Sequence, residues 1–468
     1  MKTFLIAPGT GSRIVGLICV LGTLLFSACK PPEKQVEQIY EAGLRDWQGG
    51  AQQVALGEFS RAIELDPKFA PAYMARAGAR FELKDFAGAI SDCNQDLSLE
   101  PDDERAFLIK GVSKFYLNDF SGAHNDLNTA LSLNSDDFMA YVCRGSVLGK
   151  SRDWDGAQAD FTKAIQINPN YAPAYTSRAA VEMMLKDYEK GVADASDAIE
   201  LDSVNASDAY KDRAIGKCHL KDRAGALADA NQAIELKPAD VSGYLTRAMV
   251  EIIWDDYSSA SNDLQTAFQF SPTNTEIYLH QGALEQKCGE LDAAIADYNR
   301  GLAPDPQSFH APEVYEALGF TWENLSQWRQ AREEFRKSLA FNSPPHDIHF
   351  ELFLIGCRLG ETNQAQSELA AYIQSIPASK AGEWSTSVAH YLAGKLNESQ
   401  LLAQANTTAK CSATIPSQIC EAYYYAGMER LLAGDKPGAQ ARFQKSVDTG
   451  EDNVYQYKNA RFELQALK

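Results

Sequence analysis

The 468-residue chain is 45% apolar and 23% charged, far from the low-hydrophobicity, high-charge composition of disordered polypeptides, and long enough to bury a large core. Its 63 acidic against 44 basic side chains give a net charge of -19. A field of that sign repels nucleic acid and anionic headgroups, which leaves neutral or basic proteins as the expected partners.

At the N-terminus, Lys2 and Arg13 precede an uncharged apolar run over residues 14–26, too short to span a bilayer as a mature helix. Residues 1–28 therefore read as an export signal. Leu25-Phe26-Ser27-Ala28-Cys29 resembles the lipobox of bacterial lipoproteins, with Phe26 where leucine is usual. The resemblance implies that Cys29 is acylated and becomes the new N-terminus, with palmitate-type chains that anchor it to a membrane. Lys30, where an Asp would imply retention at the inner membrane, favours the outer membrane of a bacterial cell envelope, facing the periplasm. The alternative is an ordinary cleaved signal with Cys29 incidental. Residues 29–35, with Pro31-Pro32, read as a short stiff tether.

From residue 36 one element returns at nearly fixed distance. Its first copy, Ala62 to Pro67, is followed by copies ending at Pro101, Ser135, Pro169, Ser203, Pro238, Pro272, Pro306 and Ser343, with steps of 34 residues except one of 35 and a last of 37. Such a period marks helix–turn–helix units that cannot bury their apolar faces without neighbours. In residues 70–103, Pro71 opens helix A, where its missing N–H is no loss. Tyr73 and Ala77 share one face, Asp85 is placed to cap helix B, and Pro101 prevents continuation of helix B. The capping slot recurs at Asp119, Asp153, Asp187, Asp222 and Asp256. Small residues recur on helix A at Ala77, Gly111, Gly145, Ala179, Ala214, Ala248, Gly282 and Gly319, and on helix B at the slot of Ala89, Ala123 and Ala157. They let antiparallel helices approach closely beside an aromatic such as Tyr73, Tyr141 or Tyr175.

This set resembles the tetratricopeptide repeat (TPR) family over residues 36–345, in nine units. The resemblance implies an all-α fold, an α-solenoid of about nine helix pairs, acting as a non-catalytic scaffold or adaptor for other proteins. It places the concave groove on helix A positions that here include Leu108, Phe115, Tyr116, Met183, Met184, Leu245, Ile252 and Ile253. An apolar wall with adaptable methionines suits an extended or amphipathic partner segment. The alternative is that these side chains pack on the next helix; if Phe115, Tyr116, Met183 and Met184 are buried within the array, no such groove exists. A second periodicity sets Arg76, Arg144, Arg178, Arg213 and Arg247 in one slot of helix A, and Asp92, Asp126, Asp160, Asp194, Asp229, Asp263 and Asp297 in one slot of helix B. A structural ladder between helices is the favoured reading over a basic stripe for binding carboxylates.

Beyond residue 345 the signature decays while helical spacing persists over residues 346–468. Ala365 to Leu369 and Gly434 to Val447 resemble worn B helices; Trp384 to Ala405 and Glu421 to Leu432 read as amphipathic helices, and Asn453 to Leu467 as a terminal cap. Tyr391 to Leu396 with Glu421 to Gly427 resembles the C-terminal part of new lipoprotein I, a family of TPR lipoproteins that scaffold peptidoglycan hydrolases. Cys411 and Cys420 bracket a loop, and an oxidising compartment would favour a disulfide between them. Gly145 to Ser151 is one residue short of a phosphate loop and falls on a repeat helix. His346-Asp347-Ile348-His349 offers two metal ligands without an evident third. No cofactor, metal or catalytic residue is expected. Two other functions are an assembly factor for an envelope machine of the pilus or secretin type, and an enzyme whose C-terminal region would hold converging carboxylates with His390.

Overall fold

The structure, a computed structural model, describes residues 31–341, 347–380, 382–407, 414–451 and 454–467. Cys29, the proposed lipid site, and the export signal lie outside them, as do His346 and Cys411. Among the described residues every regular element is helical, and no helix is long and apolar enough to cross a membrane.

The chain forms two compact units. One runs to Val181 and takes in Asp197–Ser203; the other comprises Glu182–Ser196 and the residues from Val204 onward. The first contains the pairs α1 (Pro31–Gln48) with α2 (Gln52–Leu65), α3 (Ala70–Glu82) with α4 (Phe86–Leu99), α5 (Glu104–Tyr116) with α6 (Phe120–Leu133), and α7 (Phe138–Lys150) with α8 (Trp154–Ile167). Helices α9 (Ala172–Met184) and α10 (Tyr188–Leu201) are divided between the units. The second unit continues with α11 (Ser207–His219) and α12 (Arg223–Leu236), α13 (Val241–Ile253) and α14 (Tyr257–Phe270), α15 (Thr275–Cys288) and α16 (Leu291–Leu302), and α17 (Ala311–Asn324) and α18 (Trp328–Leu339). Then come α19 (Asp347–Arg358) and α20 (Thr362–Ser375), α21 (Trp384–Leu392) and α22 (Glu398–Thr407), α23 (Thr414–Leu432) and α24 (Lys436–Asp448), and α25 (Tyr455–Ala466). Within each unit consecutive pairs pack side by side, as the 34-residue period requires.

Three sequence expectations change. α1 begins at Pro31, so residues 31–35 of the segment read as a tether belong to the start of a helix, where two prolines lose no intrahelical bond. The stretch Trp384 to Ala405 is two helices parted at Gly394, whose φ of 72° is left-handed, and the helix expected from Glu421 starts earlier, at Thr414.

What closes each pair is a small-to-large lock sixteen residues apart. A Cβ added to Gly145 would lie 2.9 Å from the Phe161 ring, one on Gly282 2.4 Å from Tyr298, and one on Gly319 2.4 Å from Phe335. At Ala77 and Ala214 the residue sixteen positions on is the smaller Cys93 and Ala230, whereas Ala248 keeps Leu264. Gly427 against Phe443, at 2.5 Å, repeats the lock in α23 and α24, so that worn pair is a genuine repeat. Each turn from A to B needs one left-handed residue; glycine serves at Gly289 and Gly434, whereas Lys84, Asn118, Arg152, Lys221 and Asp255 take it at φ of 58–65°. The next residue caps helix B: the carboxylates of Asp85, Asp119 and Asp222 each accept the backbone N–H three residues on at 2.9 Å.

The Arg–Asp ladder is structural. Arg144 donates Nε and Nη2 to Asp160 at 2.7 and 2.6 Å, and its third nitrogen to Asn128 of the preceding B helix at 2.6 Å. Arg76, Arg213 and Arg247 repeat this with Asp92, Asp229 and Asp263, reaching back to Ser60, Ser196 and Asn231. Each guanidinium also lies over the aromatic ring of its own helix, Arg213 at 5.3 Å from Tyr210. Its donors are thus committed to internal partners in both adjoining pairs. One turn further along helix A, Arg80, Lys114 and Lys217 bring a second cation to Asp92, Asp126 and Asp229 at 2.7–2.8 Å. In α13 and α15 that slot holds Glu251 and Glu285, which instead face Asp263 and Asp297.

Candidate functional site

Five of the eight expected groove residues are core. Leu108, Phe115, Met183, Leu245 and Ile252 are buried, which corrects the reading of an open apolar wall at these positions. Successive A helices approach closely, so that Met183 Cε sits where a Cβ on Gly216 would be 2.8 Å away, and Phe115 packs within its own pair, edge-on against Phe120 of α6 at 5.8 Å. Tyr116, Met184 and Ile253 are half-buried; Tyr116 stacks on Phe86 at 4.7 Å, and Ile253 packs beside Cys218 and Val250.

In the second unit α11, α13, α15 and α17 pack against one another in sequence, so their inward sides form one wall. Its edge near the helix starts is polar. Lys211 Nζ donates to Asp208 at 2.6 Å, to Asp240 at 3.2 Å and to the Ser242 hydroxyl at 2.5 Å. Glu276, in the first turn of α15, lies 4.0 Å from His310, and His280 follows one turn on. Lys211 and Asp212 are 5% and 6% exposed. Burial, opposed by Lys211 but reinforced by Asp208, pushes the Asp212 carboxyl up to about 8. Burial lowers the His280 pKa, keeping the ring neutral at pH 7. These residues were missed in the sequence, although a signal exists. The slots of Lys211 and Asp212 hold Met74 and Ala75, Leu108 and Ile109, and Val142 and Cys143 in earlier units, so charge there breaks the array's own pattern.

A second convergence lies at the C-terminal end of the same unit. Glu323, Glu351 and Glu463 come together from α17, α19 and α25 around Arg358, which bonds Glu463 and lies 4.5 Å over Trp328. The cavity they share with Tyr424 and Met428 has room for about one water molecule, 10 Å³. Carboxylates do converge there, but His390 is not among its walls. Among the described residues no cluster suits a metal ion, and His349 is stacked on Tyr372 at 4.0 Å. Gly145 to Lys150 is helical, with no loop to cradle a phosphate. Cys420 is a buried thiol with Sγ 3.2 Å from the Ser446 hydroxyl; its suggested partner, Cys411, lies outside the described residues.

No protein-family model matches the chain. Among solved structures, it is similar to a tetratricopeptide repeat protein from Parabacteroides merdae, at 16% identity over 54% of this chain and 98% of that one, with a TM-score of 0.44. PilW, a type IV pilus biogenesis factor, matches at 18% identity over 44% of this chain and 96% of its own, TM-score 0.41. YrrB, a TPR protein with an unusual peptide-binding site, matches at 18% identity over 40% and 95%, TM-score 0.34. By its 34-residue period, paired helices and small-to-large locks, the chain has the helix-pair repeat fold of tetratricopeptide repeat proteins.

Proposed function

We propose that the chain is a non-catalytic protein-interaction scaffold of the bacterial cell envelope, anchored through acyl chains on Cys29, with a partner segment lying along the wall of α11, α13, α15 and α17. The observation that carries this reading is the wall itself. Four successive helices offer equivalent slots side by side, which is a surface for an extended ligand rather than a site for one small molecule. The anchor rests on the lipobox resemblance around Cys29 and on an apolar run too short to remain as a membrane span.

Membrane fractionation and crosslinking in a bacterial host, comparing the full chain with Cys29→Ala, test both parts. The intact chain should sediment with outer membrane and capture a defined set of proteins, and Cys29→Ala should move to the soluble periplasmic fraction. An unchanged distribution of Cys29→Ala overturns the anchor. Failure of the intact chain to enrich any protein over an unrelated lipoprotein overturns the scaffold. Capture of pilus or secretin subunits would narrow the role to assembly of an envelope machine.

A further inference from the structure

We infer that the wall edge formed by Asp208, Asp212, Asp240 and Glu276 is the seat for a lysine-bearing, basic segment of the partner, an inference that rests on the scaffold reading above. Three of these acids have an ordinary explanation. Asp208 and Glu276 lie in first turns and Asp240 caps α13, where negative charge suits the helix dipole. Asp212 does not. It sits within α11 rather than at its start, it is buried, and its Oδ2 has no hydrogen-bond partner. A carboxyl kept in that state faces Asp208 and Lys211, in the same edge.

The edge already displays how it receives an ammonium. Lys211 is held by two carboxylates and a hydroxyl, the kind of partners that a visiting lysine ammonium would need. The groups that face it are four carboxylates, the ammoniums of Lys211 and of Lys237, which lies 3.5 Å from Asp208, His280, and His310 against Glu276, so carboxylates still outnumber ammoniums. Charge complementarity then selects a cationic occupant, in line with the chain's net charge of -19. When a lysine ammonium arrives beside Asp212, the proton on that carboxyl leaves to solvent and an ion pair forms. Binding therefore releases protons at neutral pH, which attraction to a uniformly ionised acidic surface would not do.

Calorimetric titration of the full chain with a short synthetic peptide of alternating lysine and alanine tests this. The lysine peptide should bind, more weakly as salt rises, and its fully acetylated form should bind at least about tenfold less tightly. Asp212→Asn and the pair Asp208→Asn with Glu276→Gln should each weaken binding by about tenfold, the loss of one charge-assisted contact. The heat should depend on the buffer's own ionisation heat in the unaltered chain and lose that dependence in Asp212→Asn. Equal binding of the acetylated peptide, or variants that bind like the unaltered chain, overturns the seat. If Asp212→Asn disturbs the fold, seen as lost helical circular dichroism, Glu276→Gln alone decides, since its side chain is 21% exposed. Absence of lysine-peptide binding while membrane crosslinking still captures proteins overturns the seat and leaves the scaffold standing; absence of both overturns the two together.

Discussion

The seams of α3 to α6 and those of α13 to α16 are built on one plan and differ in the cations that reach the buried Asp: the second slot is acidic in both later pairs, and in α15 the first is Gln281. In the earlier pairs a buried Asp receives two cations: Arg76 and Arg80 on Asp92, and Lys110 and Lys114 on Asp126. In the later pairs the second cation is replaced by Glu251 or Glu285, so two carboxylates share one seam. Burial first, with Asp263 adding to it and Arg247 opposing, pushes Glu251 up to about 7. The same helix pair can thus be closed by surplus positive charge or by a carboxyl that holds its proton. The second kind of seam responds to pH near neutrality through the carboxyl that replaces the cation.

The largest way to break this contrast is to remove the arginine from each seam. Arg247→Ala leaves Asp263 buried beside Glu251 with no cation, a loss of about 3–5 kcal/mol, whereas Arg76→Ala leaves Arg80 at 2.8 Å from Asp92 and should cost only about 1–2 kcal/mol. Hydrogen exchange of α14 against α4 reads the difference; equal losses would show that the second cation is idle. A smaller effect is expected from pH. Stability stored in the protonated Glu251 is fully present below its unfolded value of 4.5 and is lost as pH rises through about 7. Protection of α13 and α14, corrected for intrinsic exchange, should fall by about 1–2 kcal/mol over that range, after discounting for water at the seam edge. Among the earlier helices α4 carries its own titrating carboxyl, Asp96, which burial and then Asp103 push up to about 7, so α6 is the element whose protection should stay flat, and Glu251→Gln should flatten the later seam too. Converting one seam into the other, Glu251→Lys should stabilise by about 0.5–1 kcal/mol at pH 8, and a null result would mean that α14 lacks the room that Lys217 has beside Asp229. The smallest change concerns what the regions share. Lys84→Gly relieves a left-handed non-glycine turn by about 0.5–1 kcal/mol and should leave the contrast between seams untouched, as seen in the thermal midpoint.

The pairs, caps and ladder were legible because each is a local matter: a carboxylate three residues before a backbone N–H, or an arginine sixteen residues from its aspartate, depends on spacing alone. The wall was harder. Whether Met183 or Ile252 faces a partner or a neighbour depends on how tightly A helices converge, and that follows from residues such as Gly216 one unit later. Lys211, Asp212 and Glu251 were visible as departures from their own columns, which carry Leu108, Ile109 and Lys114 elsewhere. An approach that looks only for what recurs passes over them. Of the three pairs after residue 346, all of which lost their consensus letters, the last kept Gly427 opposite Phe443, because there the steric fit outlives the motif.

That fit bears on how such a chain can grow. Glycine and ring belong to a single hairpin, Gly282 with Tyr298 or Gly319 with Phe335, while two alanine hairpins carry short partners, Ala77 with Cys93 and Ala214 with Ala230. Gene duplication or recombination with its breakpoint between hairpins passes on a matched set. A breakpoint inside one would join Ala214 to a ring or a glycine to Ala230, leaving either a collision or a void. Viable length variants of this protein should therefore differ by whole hairpins, with their junctions in the short connections that follow each B helix.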